Sequence, residues 1–237
     1  NVNRASEEAQ LAYISKDTSR IEHIKHPSER VQLAAVSKYS SAIAYIKYPT
    51  ELVQLAAVRK NGYVIEYIKN PSEAVQLAAV QESGEAIRYI NNPSEAVQLA
   101  AVQESGGAIL YINNPSEAVQ LAAVKENGSL ILYIKNPSEA VQLAVVKENG
   151  GFIKFIKNPS DAVQFAAVKA DSSAIEYIKK PKSKAVILII ILKLIKDGNI
   201  INRIKIYNKY REKYPNWPEW AAIDNALRAE KIIKEAV

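Results

Sequence analysis

Residues Pro93 to Asn114 read PSEAVQLAAVQESGGAILYINN. Asn92, just before them, suits a helix N-cap, Pro93 suits the first helical position, and Glu95 stands where a capping box places its acid. Ala96, Val97, Leu99, Ala100, Ala101 and Val102 then cover most of a helix circumference. Ser105-Gly106 is the stop, with the glycine expected to supply a left-handed C-cap. A second, short helix is predicted from Ala108 to Asn113, with Ile109, Tyr111 and Ile112 facing inward. A helix of about seven residues is not stable alone, so it must form by packing on its neighbours.

The same pattern returns every 22 residues. Prolines stand at Pro27, Pro49, Pro71, Pro93, Pro115, Pro137, Pro159 and Pro181. Stepping back one period from Pro27 reaches Ala5, where the register still holds through Gln10, Leu11, Ala12, Ile21 and Ile24. Eight repeats therefore run over residues 5–180, and a diverged ninth starts at Pro181. The sixth position is glutamine in all eight: Gln10, Gln32, Gln54, Gln76, Gln98, Gln120, Gln142 and Gln164. The eighth is always alanine, and the seventeenth and twentieth are always isoleucine. A self-similar period of this length marks a solenoid, in which each unit buries its apolar face on the next. The apolar spacing is helical rather than alternating, and alanine stands where strands would want valine or threonine, which argues against a β-solenoid. The expected fold is an all-α, right-handed α-solenoid of eight helical hairpins over 5–180, followed by a three-helix C-terminal cap over 181–237.

Composition removes many function classes. The 237 residues include no cysteine, which excludes disulfides, thiolate metal sites and thiol catalysis. Only two histidines are present, His23 and His26, so an imidazole-rich metal site is out. The longest apolar run, Ala185 to Leu192, is far below the ~20 residues that span a bilayer. No apolar signal core opens the chain, and the lack of an initial methionine predicts that one or more residues precede Asn1. No Ser-His-Asp or Gly-x-Ser-x-Gly arrangement occurs, and Gly106-Gly107 and Gly150-Gly151 lack the lysine of a phosphate loop. The expectation is a protein that is not an enzyme and carries no cofactor and no metal.

The strings Leu121-Ala122-Ala123-Val124-Lys125-Glu126-Asn127-Gly128 and Leu143 to Gly150 resemble the tandem Leu-Ala-Ala-Val-Lys-x-Asn-Gly helical repeats of a domain family of unknown function, found in bacterial, bacteriophage and giant-virus proteins. The resemblance covers about residues 5–180 and is carried by the five repeats with glycine. It differs in repeat length, since the family's units look slightly longer than 22. It implies an α-helical array and no activity.

Charge divides the chain. Residues 181–237 hold 12 Lys+Arg and 6 Asp+Glu, while residues 1–180 hold 19 of each, so the whole net charge of +6 belongs to the C-terminal segment. That segment reads as helices over about Lys184–Lys196, Ile200–Tyr214 and Pro218–Ala236, broken by Asp197-Gly198-Asn199 and Pro215-Asn216-Trp217-Pro218. The first lies where a ninth repeat would begin and is expected to close the stack. Lys193, Lys196, Arg203, Lys205, Lys209, Arg211 and Lys213, interleaved with Tyr207, Tyr210, Tyr214 and Trp217, suit contact with phosphates and bases. They also suit docking on an acidic protein, or a merely solvated helix face.

Within the repeats the glutamine row is read as structural, a buried amide satisfying turn carbonyls between repeats, because a base-reading position would vary along the array. The nineteenth-position tyrosines Tyr45, Tyr67, Tyr89, Tyr111, Tyr133 and Tyr177 are expected in the core with their hydroxyls at its edge. The third-position glutamates, such as Glu73 and Glu95, are read as helix-cap acids rather than catalytic pairs. The eighteenth position is expected to face solvent. Leu110 and Leu132 stand there in adjacent repeats, flanked by Arg88 and Lys154, and form the candidate partner-binding site. The function expected is a non-enzymatic, cytoplasmic binding scaffold or inhibitor that holds a protein along its surface. The alternatives are nucleic-acid binding through the basic segment and a structural part of a viral or phage assembly, which would place the chain in a host cytoplasm. The abundance of Ile, Lys and Asn fits an AT-rich phage or bacterial genome.

Overall fold

A computed structural model describes residues 2–178, 200–213, 215–216 and 220–229. The chain divides into two compact units, Asn1–Asn136 and Pro137–Val237. The described residues contain helices and no strand, and each repeat contributes one α-helix followed by one 3₁₀ helix. The expected all-α solenoid is what forms.

The α-helices of the first unit are α1 (Glu7–Lys16), α2 (Glu29–Lys38), α3 (Glu51–Lys60), α4 (Glu73–Glu82), α5 (Glu95–Glu104) and α6 (Glu117–Glu126). Within this unit neighbouring α-helices pack on each other, as do neighbouring 3₁₀ helices, so α2 to α5 are each held from both sides. The wholly buried positions of α5 are Val97, Ala101 and Val102, each 0 % exposed. Leu99 and Ala100 are half-buried and Ala96 is exposed. The helix thus buries one stripe rather than most of its circumference.

The helix start differs from the expectation. The N-cap is Ser94, not Asn92: its hydroxyl accepts from the Val97 amide at 3.4 Å, and the helix begins at Glu95. Asn92 instead takes the left-handed conformation at φ 50°, as do Asn70, Asn114, Asn136 and Asn158. Asparagine tolerates that region better than most residues, and it turns the chain just before proline. The third-position glutamate also has another partner. The Ser116 hydroxyl donates to Glu95 Oε1 at 2.5 Å and the Ser72 hydroxyl to Glu51 Oε1 at 2.5 Å, so these N-cap serines clasp the preceding repeat. Ser94 does the same to Glu73.

The helix stop differs too. Ser105 ends α5 in an extended conformation at φ −145°, and Gly106 opens the 3₁₀ helix Gly106–Tyr111 without adopting a left-handed backbone. Glycine serves close approach at this position. A Cβ on Gly84 would lie 2.5 Å from the Ala101 carbonyl oxygen of the next repeat, and on Gly62 it would lie closer still to that of Ala79.

The second helix is 3₁₀ rather than α. Its period of three puts Ile109 and Ile112 on one side, 5 % and 8 % exposed, and turns Leu110 and Tyr111 outward. The nineteenth-position tyrosines are therefore not core residues. Tyr45 is 46 % exposed, Tyr67 50 %, Tyr111 41 %, Tyr133 62 % and Tyr177 48 %.

In the second unit the repeat helices are α7 (Glu139–Glu148) and α8 (Asp161–Ala170), with 3₁₀ helices Gly150–Phe155 and Ser172–Tyr177. Two further helices follow, α9 (Ile200–Lys213) and α10 (Trp220–Ala229). Trp220 and Ile223 are buried, and the Trp220 ring meets Tyr207 edge-on at 5.6 Å. These are the second and third helices of the expected cap. The first, Lys184–Lys196, lies outside the described residues.

Candidate functional site

The 3₁₀ helices of the first unit form an exposed ridge. Leu110 and Leu132 are 51 % and 52 % exposed, as their position requires, and the helices that carry them, Gly106–Tyr111 and Gly128–Tyr133, are packed neighbours. Arg88 sits one repeat before Leu110, exposed, with its guanidinium 4.7 Å from the Tyr89 ring centre, 5.9 Å from that of Tyr111 and 6.0 Å from that of Tyr63. Its Nη2 donates to the Tyr89 hydroxyl at 2.5 Å. Hydrogen bonds to the Tyr89 and Tyr111 hydroxyls hold the Arg88 pKa above its ordinary value. On the same ridge the Glu66 carboxylate, hydrogen-bonded to the Tyr67 hydroxyl, pushes that hydroxyl's pKa up. Arg88, Leu110 and Leu132 thus share one aromatic-lined surface. Lys154 belongs to the second unit, exposed, its ammonium 4.7 Å from the Phe155 ring centre and 5.8 Å from that of Tyr177.

Beside the ridge lies a hollow built by two consecutive repeats. In the first unit it is about 550 Å³, lined by Glu66, Lys69, Asn70, Gln76 and Tyr89 among others. In the second unit it is about 730 Å³, and Lys154, Lys157, Asn158, Gln164 and Tyr177 occupy the corresponding places four repeats on. The signal for it in the sequence is the period itself, since the lining positions recur at fixed spacing. Reading the tyrosines as core hid it.

The glutamine row is structural, but within each repeat rather than between repeats. The Nε2 of Gln98 donates to the Pro93 carbonyl at 3.0 Å, and Gln54, Gln76, Gln120, Gln142 and Gln164 bond their own first-position prolines likewise. Pro93 precedes the Ser94 N-cap, so its carbonyl lies outside the helix ladder, and the amide satisfies it.

The basic segment is more committed to internal bonds than its charge suggests. Lys209 Nζ donates to Glu176 Oε1 at 3.0 Å. Arg211 Nη1 pairs with both Asp224 oxygens, at 2.8 and 2.7 Å, while the Tyr207 hydroxyl donates to Asp224 Oδ1 at 2.6 Å. Burial first, then the bond to Asp224, pushes the Tyr207 pKa up. Lys205 is exposed, and Arg203 and Lys213 lie on α9. Lys193 and Lys196 lie outside the described residues.

Among the described residues no group of three or more His, Asp or Glu is placed to hold a metal ion, and His23 Nδ1 is 3.1 Å from the Tyr13 hydroxyl. No helix of the described residues is long and apolar enough to cross a membrane. No family model, no curated protein and no solved structure matches the chain.

Proposed function

We propose that this protein is a non-enzymatic, cytoplasmic binding scaffold or inhibitor that holds a protein partner on the 3₁₀ ridge. Arg88, Leu110 and Leu132 form the docking core, all within the first unit. The supporting observation is the outward turn of apolar and aromatic side chains in consecutive repeats. Leu110, Tyr111, Leu132 and Tyr133 are each 41–62 % exposed on packed neighbouring helices. Exposed apolar groups clustered with tyrosine and arginine have the composition of an interface centre rather than of an ordinary solvated surface. The resemblance of the repeats to those of bacterial, phage and giant-virus proteins is compatible with this reading.

The test is affinity purification from the native host with the wild-type chain and with Leu110→Asp/Leu132→Asp. Both side chains face solvent, so the helical circular-dichroism spectrum should be unchanged. Partner binding should weaken at least tenfold, ~1.4 kcal/mol. A folded double variant that retains its partner at wild-type affinity overturns the assignment.

A further inference from the structure

The hollow of the second unit and its counterpart in the first share lining positions and differ in charge. Position for position, Lys69, Asn70, Gln76 and Tyr89 correspond to Lys157, Asn158, Gln164 and Tyr177. The difference is at the eighteenth position, where Glu66 balances Lys69 in one hollow and Lys154 adds to Lys157 in the other. Among the described residues no carboxylate lines the second hollow. Neither lysine there makes an ion pair among the described residues, and Glu176, at the eighteenth position of the following repeat, is paired with Lys209. Contact with the Phe155 and Tyr177 rings holds the Lys154 ammonium at the hollow's wall.

The same hollow carries an unmet acceptor. Gln164 is 4 % exposed. Its Nε2 is used on the Pro159 carbonyl at 3.1 Å, and its buried Oε1 receives no hydrogen bond among the described residues. A buried acceptor without a donor is costly, so the site favours a ligand that brings an N–H or O–H. Two unpaired cations favour a ligand that also brings negative charge.

We propose that this hollow, lined by Lys154, Lys157, Asn158, Gln164 and Tyr177, receives an acidic side chain of an extended peptide, the Gln164 amide turning as it binds so that Oε1 accepts a peptide N–H. An acidic peptide carries both required groups within one residue. A free, fully ionised dicarboxylate carries the charge without the donor. The inference rests on the reading of the protein as a binding scaffold and adds the chemical class of the bound segment.

The probe is a fluorescein-labelled peptide of alternating glycine and glutamate, with three glutamates, titrated into the full chain and followed by fluorescence anisotropy at low salt. A peptide with glutamine in place of glutamate and a labelled oligothymidylate of equal charge are run in parallel. The acidic peptide should bind, and the glutamine peptide and the oligothymidylate should bind at least tenfold more weakly. Lys154→Glu, which copies the charge pattern of the first hollow, should weaken the acidic peptide at least tenfold, ~1.4 kcal/mol. Glu66→Lys, which copies the second hollow into the first, should add a binding event per chain. Absence of binding, equal binding by Lys154→Glu, equal binding of the glutamine peptide, or preference for oligothymidylate overturns the proposal. Because Leu110→Asp/Leu132→Asp alters the ridge and not this hollow, it should bind the probe normally. The two proposals therefore fail separately.

Discussion

Gly84 and Arg88 are four residues apart and belong to different surfaces of the molecule. Gly84 lies in the seam between repeats, buried so tightly that a methyl group would strike the Ala101 carbonyl. Arg88 lies on the open ridge, where rings and solvent surround it. Gly150 and Lys154 repeat this contrast in the second unit. At the seam, close approach, the serine–glutamate clasps and the valine stripe restrict the choice of residue. On the ridge little restricts it, and the eighteenth position accordingly runs Glu22, Ala44, Glu66, Arg88, Leu110, Leu132, Lys154, Glu176. A repeat protein keeps its fold in the first kind of position and acquires specificity in the second.

The largest effect expected on stability is at the closest approach. Gly84→Val should cost about 3 kcal/mol in urea unfolding, because the obstacle is backbone and cannot rotate away. Gly106→Ala should cost about 1 kcal/mol, since its nearest obstacle is the flexible Leu130 side chain at 2.9 Å. Gly107→Ala, whose Cβ would meet only Ser105 Oγ at 3.6 Å, should stay within about 0.5 kcal/mol of wild type. Equal losses at Gly84 and Gly107 would remove the distinction between seam and open turn.

Next in size is Ser94→Ala, which loses both the N-cap bond to Val97 and the clasp to Glu73. It should cost about 1–2 kcal/mol without changing peptide binding. Gln98→Ala removes one half-buried amide bond to Pro93 and should cost about 1 kcal/mol. A stability change within error of zero would remove the structural role assigned to this amide bond.

The smallest effect concerns Glu7. Hydrogen bonds from Ser28 and then Arg30 hold its carboxyl below the ordinary glutamate value. A depressed carboxylate pKa contributes stability above the unfolded-state pKa and loses it as pH falls through the folded value. The pair is exposed, so the effect should be slight. Glu7→Gln should lower the unfolding midpoint at about pH 7 and match wild type near pH 2. A difference that persists at the lower pH would point to packing rather than charge.

The period was legible because each repeat must meet an almost identical neighbour, so Gln98, Ala100, Ile109 and Ile112 recur unchanged. Among the local readings that went astray, three have clear physical reasons. Asn92 resembles an N-cap, but in the residue before proline its tolerance of positive φ matters more, and Ser94 caps instead. Gly106 resembles a C-cap, but a carbonyl or side chain from the next repeat, invisible within one repeat, is what calls for glycine. Tyr111 resembles a core residue if the second helix is α, whereas the 3₁₀ period places it outside. The candidate site was partly legible: Arg88, Leu110, Leu132 and Lys154 are exposed at the eighteenth position as read. The hollow was not, because its lining is split between two repeats. In the C-terminal segment, which carries the net charge, Lys209 and Arg211 are paired with Glu176 and Asp224.

Gly150→Ala and Lys154→Glu, made four residues apart in one repeat, separate the two kinds of position in a single comparison of urea midpoint and acidic-peptide affinity. A Cβ on Gly150 would collide with the Ala167 carbonyl, so Gly150→Ala should lower the midpoint by about 1–3 kcal/mol of stability, while the folded protein keeps its affinity. Lys154→Glu should leave the midpoint within about 0.5 kcal/mol of wild type and weaken the peptide at least tenfold. If both variants lose stability alike, or Lys154→Glu binds as wild type does, the division between a holding seam and a binding ridge is wrong.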